Sequence, residues 1–237
     1  MTMQVTTRNP VRADITEHDG ESAVPSRGWA LAGVGAGLAG IGVIVTSSMV
    51  DGVYDHDLVG QPDRIAAKIA DQAPVMFAFH SIAVVGALCL VLFGAGLFQR
   101  LRAVAGQGVA PVIALGGLLG TAVVVVLGSG LDTEFMMSLS ADDGSIDPYS
   151  TAMYNHWIGT IPWVWVLAGL AGLAVHAVSR AGGVPRWIGR VGLVLGGLTV
   201  LLGVSPLEYM AGATGALMVL VTGLGFAAGD RTFRGTR

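Results

Sequence analysis

Six stretches of about twenty predominantly apolar residues constrain this chain more than anything else in it: Gly28–Val50, Pro74–Phe98, Val109–Leu131, His156–Val178, Trp187–Val204 and Leu207–Ala228. A bilayer's hydrocarbon core is about 30 Å thick, and an α-helix crosses it in about 20 residues. Lipid offers the backbone no hydrogen bonds, so each span must satisfy its own N–H and C=O groups, as a helix does. The expected fold is an all-α membrane protein, a bundle of six transmembrane helices. Charge content agrees: 12% of the 237 residues are charged, against roughly a quarter in soluble domains. A net charge of -3 with no basic stripe excludes nucleic acid as a partner.

Positive charge orients the bundle. With six spans, eleven of the thirteen Lys and Arg residues fall on the side of the two termini, and only Arg64 and Lys68 on the other. By the positive-inside rule both termini are cytoplasmic and the chain is a multi-pass protein of the cell membrane. Acidic residues run the other way, eleven outside against five inside. The expected domain organisation is a disordered cytosolic tail over residues 1–27, the six-helix domain over 28–228, and a second cytosolic tail over 229–237. The N-terminal tail has no apolar core of a signal peptide and too little apolar content to fold alone.

Turn chemistry refines the ends. Ser205-Pro206-Leu207-Glu208 reads as an N-cap serine, a proline at the first helical position and a capping-box glutamate. Asp147-Pro148 reads as another start, which puts the fourth helix's beginning about two turns outside the membrane. Ile65 and Ile69, four apart among charges between Pro62 and Gln72, predict a short amphipathic helix on the outer surface. Pro74 then opens the second span. Small residues four apart, as at Gly33/Gly37, Gly116/Gly120, Ala168/Gly172 and Gly212/Ala216, allow close helix approach in lipid. Pro162 between Ile161 and Trp163 marks a candidate kink in the fourth span. Tyr154 and Trp157 at the outer boundary, with Trp29 and Trp187 at the inner one, fit an interfacial aromatic belt.

The outer helix Pro62–Ala73 feeding span two, the run Leu97-Phe98-Gln99-Arg100-Leu101-Arg102 closing it and Val184-Pro185-Arg186-Trp187-Ile188-Gly189 opening span five carry a family resemblance. The layout resembles a family of uncharacterised bacterial six-span membrane proteins, a domain of unknown function, over roughly residues 28 to 228. The resemblance implies the six-span fold and brings no activity with it.

Ionisable groups within spans are costly and mark candidate sites. His80 lies six residues past Pro74, Asp132 and Glu134 end the third span, and His156 begins the membrane part of the fourth. Asp51, Asp55, His56 and Asp57 crowd the outer end of the first. His80, Asp132 and His156 are the candidate metal ligands, with His56 and Glu134 as further pocket candidates. Two imidazoles and a carboxylate suit Zn²⁺ or another divalent ion, and without a metal the same groups could relay protons. His176, twenty residues after His156 on one helix, falls about 30 Å away. It is expected near the inner boundary, favoured there by the helix dipole. The lone Cys89 sits in an apolar run as a small hydrophobe.

Three readings of function come from different classes. The first is a non-enzymatic binding or accessory membrane protein with a polar site on its outer face, its partners the bilayer itself and a membrane-protein partner or second copy. The second is a small transporter or a proton- or cation-coupled protein. The third is a metal-dependent membrane hydrolase using His80, Asp132 and His156. The HxxxH and HExxH spacings are absent.

Overall fold

The computed structural model describes residues 27–141 and 146–230. Of the two expected tails only Arg27, Gly229 and Asp230 are described, and residues 142–145 also lie outside the described residues. Ten helices are described: α1 Gly28–Ser48, α2 Pro62–Asp71, α3 Ala73–Ala105, α4 Ala110–Gly128, α5 Asp132–Ser140, α6 Pro148–Thr160, α7 Val166–Arg180, α8 Arg186–Val191, α9 Gly197–Val204 and α10 Tyr209–Leu224. They make six helices long and apolar enough to cross a membrane, Gly28–Ser48, Ala73–Ala105, Ala110–Leu139, Pro148–Arg180, Arg186–Val204 and Tyr209–Gly229. The protein is an all-α bundle of six such helices. Successive spans pack side by side, and α10 closes the ring against α1.

Two of the spans run on past their expected ends. The helix expected to stop at Phe98 continues to Ala105, because Gln99 to Ala105 contains no breaker before Gly106, whose φ of 56° ends the helix in a left-handed conformation. The third span runs through a single tight turn, Ser129–Leu131, into α5. With α2, the cap-side loop of α1 and the first turns of α6, α5 forms a cap over one end of the bundle. The opposite end carries the described terminal residues Arg27 and Asp230.

The fourth span is broken rather than kinked. Pro162 has no N–H to donate, a tight turn occupies Ile161–Trp163, and Val164 leaves helical geometry at ψ 73°. Helix resumes at Val166, and the buried Trp165 wedges its indole between Gly40 of α1 and Gly215 of α10, where added Cβ atoms would lie 2.7 and 3.1 Å from the ring. The small-residue pairs have unequal roles. A Cβ at Gly37 would lie 2.5 Å from the backbone nitrogen of Leu220, whereas one at Gly116 would meet nothing within 4 Å. On the third span the pair's close contact is at Gly120, where an added Cβ would lie 2.6 Å from Leu167 Cδ1, and the close approach to backbone is at Gly117, against Leu167.

The capping box at Ser205–Glu208 does not form. Ser205 Oγ accepts from the Leu207 N–H at 3.1 Å, closing a tight turn, and α10 starts only at Tyr209 with no side-chain cap. The short turn places Glu208 at the helix entrance, where its side chain is exposed. Asp147 does cap α6, accepting from the Ser150 N–H at 3.1 Å with Pro148 in the first turn. His176 bonds the next helix directly, its Nδ1 lying 3.1 Å from the Gly189 carbonyl oxygen.

At the end holding the termini, Arg100 Nε donates to Asp230 Oδ2 at 2.6 Å while Nη2 donates to Asp230 Oδ1 at 3.0 Å and to the Gly183 carbonyl at 2.6 Å. The guanidinium thus ties α3, the α7–α8 turn and the end of the sixth span together, in a two-pronged geometry that lysine could not match.

Candidate functional site

Three elements at the capped end bring polar side chains into one buried cluster. Helix α3 supplies His80, the first turn of α5 supplies Asp132, and α6 supplies Tyr154. His80 Nδ1 lies 3.2 Å from Asp132 Oδ2, and the Tyr154 hydroxyl donates to Asp132 Oδ1 at 2.8 Å. Asp132 is fully buried and Tyr154 nearly so, while the His80 side chain remains 32% exposed. A carboxylate is an acceptor only, so with Tyr154 on one oxygen the other accepts the His80 Nδ1–H. That fixes the imidazole tautomer and leaves the Nε2 edge as the one turned away from the carboxylate.

Local sequence explains the arrangement. The tight turn Ser129–Leu131 shifts the helical register between α4 and α5, and Asp132 enters the bundle as the first residue of α5. Three residues on, Phe135 stacks on Tyr154 with ring centroids 4.2 Å apart and planes 5° from parallel. This stack holds the phenol at the angle that delivers its hydroxyl to the carboxylate. Met136, also buried, packs beside it.

The five sequence candidates separate. His80 and Asp132 meet, as the layer of ionisable residues implied. His156 does not join them: it follows Tyr154 by two residues, which on a helix is about 200° of rotation, and it points to the exposed side. There it meets Tyr54 edge-on, centroids 5.8 Å apart. Glu134 stands in the same relation to Asp132 and is exposed, and His56 is exposed in the short turn His56–Leu58. The set His80, Asp132 and His156 therefore does not converge. Among the described residues no group of three or more His, Cys, Asp or Glu side chains is placed to hold a metal ion.

Two residues of this region carry more than the sequence suggested. Tyr154, expected in the interfacial belt, is a buried partner of the carboxylate. Asn155, passed over, is fully buried; its Nδ2 donates to the Val50 carbonyl at 2.7 Å and its Oδ1 accepts from the Val53 N–H at 2.9 Å. It stitches the end of α1 to α6. The signal for both was their spacing: Tyr154 and Asn155 lie four and three residues before Ile158, which is itself fully buried, so they share its inward face.

No family model matches the chain, and neither a curated protein nor a solved structure is similar to it.

The surroundings limit what the cluster can do. Beneath it towards the bundle centre lies a cavity of about 10 Å³ bounded by Gly40, Val43, Ala83, Val125, Pro162 and Trp165, room for about one water molecule and lined mainly by apolar atoms. Above it the cap is tied by Lys68, which pairs with Asp51 at 3.0 Å and Asp55 at 2.9 Å. Gln72 Nε2 adds a bond to Asp51 Oδ1 at 2.7 Å. The Gln72 amide and then Lys68 hold the Asp51 carboxyl below the usual carboxylate range. Lys68 and the Asp57 N–H do the same for Asp55. The two carboxylates push Lys68 up in turn, Asp55 foremost.

Proposed function

We propose that this chain is a non-catalytic binding protein of the membrane, and that it engages its ligand through the exposed edge of the His80 imidazole. One observation carries the reading: a half-exposed imidazole fixed from behind by a fully buried carboxylate that is itself fixed by a buried tyrosine. A fully buried carboxylate is expensive, and apolar residues would pack three helices at lower cost. What apolar residues would not supply is an oriented ring nitrogen facing outwards.

The chemistry of the donor set supports binding over the two other readings. A histidine and one carboxylate fall short of the three protein ligands of a catalytic zinc, and Asp132 is the one side-chain partner recorded for His80 among the described residues. Against proton- or cation-coupled transport stands the apolar cavity beneath the site. The carboxylate behind the ring and the acidic residues around the cap favour a ligand group that donates hydrogen bonds or carries positive charge. The positive-inside partition of Lys and Arg supports reading this face as the outer one, as the resemblance to bacterial six-span proteins would also have it.

The test is nuclear magnetic resonance of ¹⁵N-histidine-labelled protein in phosphatidylcholine nanodiscs, titrated with ethanolamine as a soluble donor. The His80 ring nitrogens should shift on titration in the wild type and not in Asp132→Asn. An unmoved His80 in the wild type would sink the proposal.

A further inference from the structure

Between α3 and α4 the membrane-facing surface is hollowed into a groove of about 360 Å³. Ala87, Leu88 and Val91 form one wall and Ala122, Val126 and Leu127 much of the other. Short Ala87 and Ala122 face each other across its floor, with longer aliphatic side chains on the rim. A methylene group fills about the volume of one water in the liquid, about 30 Å³, so the groove has room for a dozen or so chain carbons. An entire helix, at about 10 Å across, is too wide to enter.

The groove is in register with His80. On α3 His80 lies seven residues, two turns, before Ala87 and therefore directly above it on the same face. On the facing side Gly130 lies four residues beyond Val126 and has nothing within 4 Å of where a side chain would begin, so the path upwards is open. Depth fits as well. Helix α3 runs 33 residues, and from Arg100 at one boundary twenty residues of rise, about 30 Å, ends at His80. That sets the imidazole at head-group level. From His80 to Val91 is about 16 Å along the helix, close to one leaflet's share of the hydrocarbon.

We infer that groove and imidazole form a single lipid site, in which one acyl chain of an aminophospholipid lies between α3 and α4 and its ammonium head group donates to His80. The head-group assignment follows from charge: nine described acidic residues at the capped end face only Arg64 and Lys68, and Asp132 backs the ring. An anionic head group is disfavoured there, and a trimethylammonium has no N–H to donate. The inference rests on the reading of His80 as a ligand-binding group and adds the chain and the lipid class to it.

Native mass spectrometry of the purified chain with dioleoyl phosphatidylethanolamine, phosphatidylcholine or phosphatidylglycerol tests it. The wild type should hold one phosphatidylethanolamine about tenfold more tightly than either other lipid, the worth of one good charged hydrogen bond. Val126→Trp and Val123→Trp, both at exposed rim positions of the groove, should each weaken that binding severalfold while leaving the ethanolamine response of His80 intact. Equal affinity for the three lipids, or unchanged phosphatidylethanolamine binding in both variants, would overturn the lipid site. If the ethanolamine response persists in that case, the His80 reading survives alone. A dimer mass in place of the lipid adduct would assign the groove to a second copy and likewise overturn the inference.

Discussion

The Tyr154 hydroxyl gives the sharpest test of the buried cluster. Tyr154→Phe keeps the ring, and with it the Phe135 stack at 4.2 Å, and removes only the donor to Asp132 Oδ1 at 2.8 Å. Interhelical hydrogen bonds within membranes average about 0.6 kcal/mol and reach about 1.7. Bonds to charged acceptors run about 1.5–3 kcal/mol in general. An acceptor that is fully buried and has one remaining partner belongs where the two ranges meet, so the expected loss is about 1.6 kcal/mol. Unfolding in mixed micelles of rising dodecyl sulfate fraction, followed by circular dichroism and tryptophan fluorescence, measures it. The same change in an Asp132→Leu background should have the opposite sign, because the hydroxyl there is a buried donor without its acceptor and its removal relieves a cost. A loss below about 0.5 kcal/mol, the scatter of surface substitutions, would refute the argument. So would an equal loss in both backgrounds.

Other expectations follow from packing and charge elsewhere. Gly37→Ala must move backbone, since the new Cβ would sit 2.5 Å from the Leu220 nitrogen, and should cost about 1–3 kcal/mol; Gly116→Ala, with open space, should stay within about 0.5 kcal/mol of wild type in the same assay. Arg100→Leu removes both guanidinium bonds to the buried Asp230, whose side chain is 2% exposed, and should cost about 1.5–3 kcal/mol. Arg102→Leu, which loses only a contact 5.6 Å over the Phe98 ring, should cost no more than about 1 kcal/mol. The cap should depend on pH at both extremes. The lowered Asp51 and Asp55 carboxyls stabilise the fold above the usual carboxylate range, and that contribution is lost as pH falls through their depressed values. Lys68, raised, contributes below its ordinary value and loses its contribution as pH climbs through the higher one. Amide protection over residues 52–72, taken relative to the intrinsic exchange rate at each pH, should therefore be greatest between those limits, and Lys68→Met should flatten the acid side.

The spans were legible because lipid imposes one rule on all of them: an apolar run of sufficient length is a helix. The amphipathic α2 was legible from Ile65 and Ile69, which face Gly52 and the core. What was not legible was where a helix continues beyond lipid, as α3 does past Arg102 and the third span does into α5. Outside the bilayer hydropathy no longer decides the matter, and helix propensity with the next glycine does. The capping box failed for a related reason. Serine can cap a helix or close a turn on the residue two ahead, and the choice between them is made by the angle at which α9 must meet α10.

The site was half legible. Depth alone put His80 and Asp132 in one layer, and they meet. Depth does not give azimuth, and two residues along a helix reverse it: His156 and Glu134 lie at the right level on the wrong side. The partner that fills the place expected of His156 is Tyr154, a residue type that at a boundary usually turns its hydroxyl to the interface rather than inwards.

The capped end is organised around these buried groups. Asn155 bonds two backbone groups at the end of α1 and is the next residue after Tyr154, so the stitch that fixes α6 against α1 also fixes the phenol. Trp157, two residues further, donates to the Gly128 carbonyl at 2.7 Å, immediately before the turn that delivers Asp132. Three polar or aromatic positions on α6, Tyr154, Asn155 and Trp157, thus tie α1, α5 and the end of α4 to one another. Each tie uses a hydrogen bond that would be unmade and costly if the helix rotated. The break at Pro162 supplies the complementary freedom: α6 can follow the geometry of the cap while α7 keeps the close glycine packing against the fifth span, where Gly172 and Gly192 approach through backbone atoms. A continuous fourth helix would have to satisfy both ends with one rotation. Dividing it lets the half that bears the site be set by the site.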